Sequence, residues 1–80
     1  MDAQKKLEWL TNALSVQGRV LTMEDTRHSV SEWDSMGDLM LLAGLEEEFK
    51  IVISADELAA IQSAGELFTL LEKKYAFPAG

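Results

Sequence analysis

Residues 35–49 of the chain read SMGDLMLLAGLEEEF. Wound as an α-helix, this stretch spreads its apolar side chains over an arc of roughly 200°. The arc consists of Leu39, Leu41, Leu42, Ala43, Leu45 and Phe49, and the opposite side carries Gly37, Met40, Gly44, Glu47 and Glu48. So wide an arc is typical of a helix that packs against several neighbours. The stretch therefore predicts the central helix of a small all-α bundle, ending at about Phe49 or Lys50.

Three serines in the chain each precede a carboxylate by three residues. The pairs are Ser35 with Asp38, Ser54 with Glu57, and Ser63 with Glu66. At this spacing the serine hydroxyl can accept a hydrogen bond from the amide three residues on, and the carboxylate can reach back to the serine amide. The pattern predicts that the three serines are N-caps, of the central helix, of a short helix to about residue 61 and of a last helix over residues 64–76.

The first third of the chain contains one helix and one long loop. A helix is predicted over residues 2–14, where Ala3, Leu7, Leu10 and Leu14 share one face. Residues 15–34 show no helical period, and a loop of this length needs a reason in a compact domain. We expect its apolar residues to pin it across the helix ends; they are Val20, Leu21, Val30 and Trp33.

These elements predict one domain over residues 1–80, an antiparallel four-helix bundle with a long first loop and a short third helix. Its ordered core is expected over about residues 2–76, followed by a short C-terminal tail that includes Pro78 and Gly80. The segment 51–53, Ile-Val-Ile, favours β structure but has no second strand with which to pair.

The composition narrows the class of protein. Eighty residues leave no room for a deep enclosed cleft, and 48 % apolar residues indicate a globular chain. With no cysteine and one histidine, the chain can form no disulfide, thiolate metal site or multi-histidine metal site. An enzyme is the poorest fit, since the sequence contains no metal cluster, nucleophile–base pair or phosphate-binding glycine loop.

The net charge limits the partners. Seven lysines and arginines against fourteen aspartates and glutamates give −7, which repels nucleic acid and anionic membranes and favours basic protein surfaces. No apolar run approaches the ~18 residues of a membrane span. We expect a soluble, monomeric, cytoplasmic domain that binds no nucleic acid and does not insert into membranes.

Two residues of the central helix have alternative interpretations. Ser35 is either a helix N-cap or a surface hydroxyl, flanked by Asp34 and Asp38, that another enzyme modifies with phosphate chemistry. The spacing alone favours the cap. Met40, on the side expected to face water, is either a single exposed methionine or an adaptable contact for a partner.

A longer motif changes the interpretation of Ser35. Residues 33–37, Trp-Asp-Ser-Met-Gly, are followed by Leu-Glu-Glu-Glu-Phe at residues 45–49. This arrangement resembles the acyl carrier proteins, with Met36 at the leucine position of their Asp-Ser-Leu motif. The resemblance extends through Ile53, Ser54 and the last helix, and so covers essentially the whole chain.

The resemblance implies a carrier. A phosphopantetheinyl transferase would attach the phosphopantetheine of coenzyme A to Ser35, within a motif that includes Asp34 and Met36. The arm would hold acyl groups as thioesters for an acyl-loading ligase or acyltransferase and for downstream biosynthetic enzymes. Basic patches on these partners would contact Asp38, Glu47 and Glu48 besides Asp34, with Met40 as an apolar contact. A cavity for the acyl chain would be lined by Leu39, Leu42, Ile53, Ile61 and Leu67.

The chain also departs from the carriers of fatty acid synthesis. Those usually carry a glutamate where Met40 stands and an acidic or polar residue where Gly37 stands. The departure favours a dedicated pathway, for a specialised lipid, a polyketide or a surface polymer. An aminoacyl carrier similar to the D-alanyl carriers and an unmodified adaptor of the same fold stay open as alternatives.

The sequence also predicts where the two tryptophans and the one histidine lie. Trp33 is expected to anchor the chain just before Ser35, and Trp9 to pack against the loop. His28 is expected to lie in water.

Overall fold

A computed structural model describes residues 1–78, and within them the chain forms four helices. They are α1 (Ala3–Ala13), α2 (Ser35–Phe49), α3 (Ala55–Ala59) and α4 (Ala64–Lys74). The all-α four-helix fold is confirmed. The bounds of α1 and α2 agree with the prediction to within a residue, whereas α3 and α4 end two residues early. No helix within residues 1–78 has the length and apolar character needed to cross a membrane.

The helix starts follow the predicted serine caps at α3 and α4. The hydroxyls of Ser54 and Ser63 accept hydrogen bonds from the amides of Glu57 (3.0 Å) and Glu66 (3.1 Å). The carboxylates do not return to the serines. Glu66 accepts from the amide of Gln62 instead (3.0 Å). Glu57 turns outward to Lys74 and Tyr75 and ties α3 to the end of α4.

At α2 the predicted cap is wrong by one residue. The N-cap is Asp34, whose side chain accepts from the amide of Gly37 (3.0 Å), and Ser35 is the first residue of the helix. Aspartate caps a helix as well as serine does, and its charge also favours the positive helix end. Because Asp34 satisfies the amide, the hydroxyl of Ser35 has no capping role.

The rotation of α2 also differs from the prediction. Gly37, Leu41 and Leu45 are the buried residues of the helix, while Leu39 is 58 % exposed. A Cβ on Gly37 would lie 2.3 Å from the carbonyl oxygen of Glu32, so only glycine allows this approach. Apolar side chains surround most of α2, and hydropathy alone therefore cannot fix which side faces inward. The close contact at Gly37 fixes it.

Loop 1, residues 14–34, is pinned by three of the four expected side chains. Leu21, Val30 and Trp33 are buried, but Val20 is 46 % exposed and contributes little to the core. The amide of Leu21 donates to the hydroxyl of Thr11 on α1 (3.0 Å). These contacts explain why a segment without regular structure keeps one path.

Loop 1 is also joined to the start of α4. The first amides of a helix have no partner within it. In α4 the amides of Ala64 and Gly65 donate to the carbonyls of Asp25 and Met23, both at 2.9 Å. The amide of Arg27 donates back to the carbonyl of Gln62 (3.2 Å). The loop that precedes α2 is therefore held in place by the last quarter of the chain.

A buried carboxylate organises the interior of loop 1. Asp25 accepts two hydrogen bonds from Arg19, at 3.0 and 2.9 Å, one from the amide of Thr22 and one from the hydroxyl of Ser29. The hydrogen bonds from Arg19, supported by those from Thr22 and Ser29, hold the pKa of Asp25 well below its ordinary value despite burial. The folded loop therefore favours the ionised carboxylate.

The core is closed at the far end by an aromatic cluster of Trp9, Phe49, Phe68 and Phe77. Phe77 is buried, and its ring centroid lies 4.6 Å from that of Phe49 and 5.6 Å from that of Phe68. Trp9 packs edge-on against Phe49, with ring centroids 5.4 Å apart. The chain reaches this position because Ala76 is left-handed (φ 56°) and the amide of Phe77 donates to the carbonyl of Leu71. Phe77 lies beyond the expected core, whereas Gly80, assigned to the tail, is outside the described residues.

Candidate functional site

Ser35 lies exposed on the first turn of α2. The extended backbone of Asp34 leads into the helix, and its carbonyl accepts from the amide of Asp38 (2.9 Å). Within residues 1–78 no side chain or backbone group hydrogen-bonds the hydroxyl of Ser35, and His28 lies exposed in loop 1. The hydroxyl is therefore accessible to an incoming molecule, and the described chain gives it no base of its own.

Behind this turn lies the Arg27–Trp33–Asp38 cluster. The guanidinium of Arg27 donates to both oxygens of Asp38, at 3.1 and 3.0 Å. The indole N–H of Trp33 donates to the same carboxylate (3.1 Å), and the guanidinium carbon lies 4.9 Å from the centroid of its ring. Trp33 is buried, as expected of an anchor just before Ser35.

Arg27 extends the cluster to α3. Its Nη2 donates to the carbonyl of Leu58 (2.8 Å) and its Nε to the carbonyl of Ile61 (2.6 Å). One side chain of loop 1 thus joins the first turn of α2 to the end of α3. Sequence reasoning missed Arg27, because an arginine in an irregular segment gives no pattern that identifies its partner. The one residue that could have pointed to Arg27 was Asp38, because a carboxylate that faces the bundle needs a cationic partner.

The residues predicted to bind partners are divided by the structure. Both oxygens of Asp38 are occupied, and its side chain is only 18 % exposed. Glu48 accepts from the indole N–H of Trp9. Glu47 is exposed and Met40 half-buried. Asp34 also accepts a hydrogen bond, from the amide of Gly37, so within residues 1–78 Glu47 alone of the four predicted carboxylates has no hydrogen-bond partner.

Two further apolar side chains lie beside Ser35. Met36 is 63 % and Leu39 58 % exposed, and both lie on the outer side of α2. The apolar arc of α2 predicts Leu39 on the packed side. Its exposure follows from the rotation of α2 that Gly37 allows.

The residues predicted to line an acyl cavity surround no space. Ile53, Ile61 and Leu67 are buried, Leu42 is half-buried and Leu39 faces outward. The described residues contain no pocket, and among them no three metal-ligating side chains converge.

Comparisons with known proteins identify a structural relative. No protein-family model matches the chain, and no curated protein does. Among solved structures, the chain is similar to a holo acyl carrier protein from Geobacter metallireducens determined by NMR. The two share 28 % identity and superpose with a TM-score of 0.72, over 90 % of this chain and 83 % of the other.

The likeness extends beyond the outline of the fold. It covers all but a tenth of the chain, at an identity above that of folds related only by shape. Acyl carrier proteins carry groups for other enzymes and are not enzymes themselves. Helix order, the long loop before the motif serine and the structural match agree, and the chain is therefore similar in fold to an acyl carrier protein over almost its whole length.

Proposed function

We propose that the chain carries acyl groups on a phosphopantetheine arm attached to Ser35. The observation that carries the proposal is the exposed hydroxyl on the first turn of α2, which has no hydrogen bond to any of residues 1–78 because Asp34 caps the helix. A serine that served as the cap would have its oxygen engaged. Here the oxygen is accessible to a transferase.

The start of α2 fits a phosphodiester. Among the described residues no acceptor binds the amides of Ser35 and Met36, and the first amides of a helix attract anions. In the attachment, the oxygen of Ser35 would bond to the phosphorus next to pantetheine in coenzyme A. Adenosine 3′,5′-bisphosphate would leave, and the serine proton would pass to a base of the transferase. Once attached, the arm supplies the thiol that holds an acyl group, in a chain that contains no cysteine.

The surface around Ser35 favours partners with mixed contacts. Asp34 and Glu47 are exposed carboxylates, and Met36 and Leu39 add an apolar area. Single surface charges contribute little affinity, but together they steer a basic partner. We assign the contacts of the transferase and of the loading enzyme to these four residues and to Met40. Asp38 and Glu48, which the sequence also suggested, have partners within the chain.

The pathway is proposed from the same surface. Met40 stands on α2 where the carriers of fatty acid synthesis usually have a glutamate, so we propose a dedicated lipid, polyketide or related pathway. The second departure from those carriers, at Gly37, does not support this proposal, because Gly37 is buried against loop 1 and cannot contact a partner. An aminoacyl carrier differs only in the ligase that loads the arm, and assays with both types of ligase separate the two.

The experiment is an intact mass measurement after incubation with coenzyme A, Mg²⁺ and a promiscuous phosphopantetheinyl transferase. We expect one added phosphopantetheine, absent in Ser35→Ala and retained in Ser31→Ala, which removes an exposed serine of loop 1. No added mass on folded protein, with transferases of several types, would contradict the proposal. The chain would then be an unmodified adaptor of the same fold.

A further inference from the structure

We propose that a group carried on Ser35 stays outside the bundle, because the Arg27–Trp33–Asp38 cluster closes the interior at that end. The cargo would accordingly be a short or polar acyl group. This inference rests on the proposed attachment at Ser35 and specifies the substrate class of that site.

The route inward from Ser35 runs between the elements that meet at the first turn of α2. Asp38 lies one turn along the helix, and Trp33 is buried two residues before Ser35. On the other side, Arg27 binds the carbonyls of Leu58 and Ile61 at the end of α3. The cluster therefore occupies the seam between loop 1, α2 and α3 that an acyl chain would have to open.

The seam is closed by polar bonds rather than by movable apolar side chains. The side chains of Arg27 and Asp38 are 17 % and 18 % exposed and joined by two hydrogen bonds. Opening the seam would part them and remove the donor from the carbonyls of Leu58 and Ile61. An alkyl chain offers no hydrogen bond in exchange, and partly buried polar groups left without partners are costly.

Behind the cluster lie fully buried leucines. Leu41, Leu45, Leu58 and Leu67 are fully buried, and residues 1–78 contain no pocket. Outside, Met36 and Leu39 present an open surface that covers a chain on one side only. A long alkyl chain in water loses the benefit of burial, whereas a short or polar group loses little. The site therefore suits acyl groups of few carbons, or those that carry hydroxyl or amino substituents.

The test compares two cargoes on the same arm. The transferase loads the chain from acetyl-coenzyme A or octanoyl-coenzyme A, and intact mass confirms one addition at Ser35. Hydroxylamine then cleaves each thioester, and each rate is divided by that of the corresponding free acyl-coenzyme A. We expect the two normalised rates to agree, a ratio of about one, because neither group is withdrawn from solvent.

Each outcome is decisive. Cleavage of the octanoyl group slowed by about tenfold relative to acetyl would mean that it spends nine-tenths of its time inside, and would overturn the inference. Octanoyl-specific shifts of the amide signals of Leu41, Leu58 and Leu67 would overturn it too. Failure of coenzyme A and of both acyl derivatives to add mass, with transferases of several types, would overturn the proposed function itself. Normal addition with slowed cleavage of the octanoyl group would overturn only the inference.

A matched pair of variants tests the cluster as the cause. Trp33→Ala opens the seam, and we expect it to slow octanoyl cleavage relative to acetyl. Trp9→Ala removes an indole from the aromatic cluster instead, and should leave the ratio near that of the unmodified sequence. A folded Trp33→Ala protein with an unchanged ratio would overturn the role of the cluster. Where Trp33→Ala does not fold, Arg27→Met, which removes the donors to Asp38, Leu58 and Ile61, takes its place.

Discussion

The two ends of α2 are held by different kinds of contact. At the Ser35 end, Arg27, Trp33 and Asp38 are joined by directional hydrogen bonds and an ion pair. At the Phe49 end, about 20 Å away along the helix, the aromatic cluster packs Phe49 against Trp9 and Phe77. Directional hydrogen bonds therefore hold the Ser35 end, whereas burial of aromatic side chains holds the Phe49 end.

The difference separates positioning from stability. Burial of apolar side chains contributes much to the free energy of unfolding and depends little on exact orientation. A partly buried ion pair contributes little net stability, but it specifies the orientation of its two partners. The proposed attachment would require the Ser35 end to present one hydroxyl in a defined place, and the directional contacts lie at this end. We therefore expect substitutions at the Phe49 end to lower stability, and those at the Ser35 end to impair modification more than their cost in stability explains.

The largest effect is expected from Phe77→Ala. Loss of a buried ring should lower the free energy of unfolding by about 3 kcal/mol, measured by urea denaturation. The rate of phosphopantetheine addition at Ser35 should be unchanged under conditions in which the variant is folded. Pro78→Ala, at an exposed neighbouring position, is the control for both measurements. A folded Phe77→Ala protein that is modified slowly would show that the two ends are coupled.

Two glycines of α2 give a matched comparison. In Gly37→Ala the new methyl group would lie 2.3 Å from the carbonyl oxygen of Glu32, so loop 1 must move. We expect a loss of about 2 kcal/mol and slower modification of Ser35. In Gly44→Ala the nearest atom is Cζ2 of Trp9 at 3.4 Å, an ordinary contact. That variant should gain up to about 1 kcal/mol from helix propensity. Equal behaviour of the two variants would contradict the close approach at Gly37.

Arg27→Met is expected to lower the free energy of unfolding less than the Phe77 and Gly37 variants do, but to slow modification of Ser35. It removes the charged donors to Asp38 and to two carbonyls, and should lower the free energy of unfolding by about 1.5 kcal/mol. Addition at Ser35 should slow, because the first turn of α2 loses its link to α3. Lys73→Met removes an exposed cation from α4 and should change neither quantity. Wild-type modification rates in Arg27→Met would assign the cluster to stability alone.

The last prediction concerns Asp25 and the slope of stability against pH, because the contribution of Asp25 is present at neutral pH and is lost in acid. The folded state holds the pKa of Asp25 below that of the unfolded chain, chiefly through Arg19. The stabilisation is complete above the unfolded pKa, about 3.9, and is lost as the pH falls toward the lower folded value. Urea denaturation from pH 6 down to about pH 2 should give a shallower decline in Asp25→Asn than in the wild type. Identical slopes would show that other carboxylates account for the acid sensitivity.

Much of the fold could be predicted from local patterns. Helix bounds follow from apolar periodicity and from caps at Ser54 and Ser63, which depend on neighbouring residues only. The rotation of α2 could not be predicted in this way, because its apolar residues surround the helix and the decisive contact is between Gly37 and the backbone of loop 1. Phe77 was missed for a similar reason, since its burial depends on a left-handed turn at Ala76.

The site was predictable in part. The motif around Ser35 located the candidate hydroxyl from the resemblance, while the cap at Asp34 required the backbone geometry. The link from Arg27 to Asp38, Leu58 and Ile61 joins three segments that are distant in the sequence. No local pattern records such a link, so Asp38 was assigned to the surface. Its true surroundings follow from the path of loop 1.

The pairing of loop 1 with the start of α4 has a consequence for the order of events during synthesis. The loop before Ser35 is held by the amides of Ala64 and Gly65 and by the carbonyls of Ile61 and Gln62. These residues leave the ribosome well after Ser35 itself. While they are still inside the exit tunnel, the nascent chain has a motif serine on an unanchored loop. If Ser35 is modified as proposed, a transferase that recognises the folded turn would act only after residues 61–65 have left the tunnel, and chains interrupted before that point would stay unmodified.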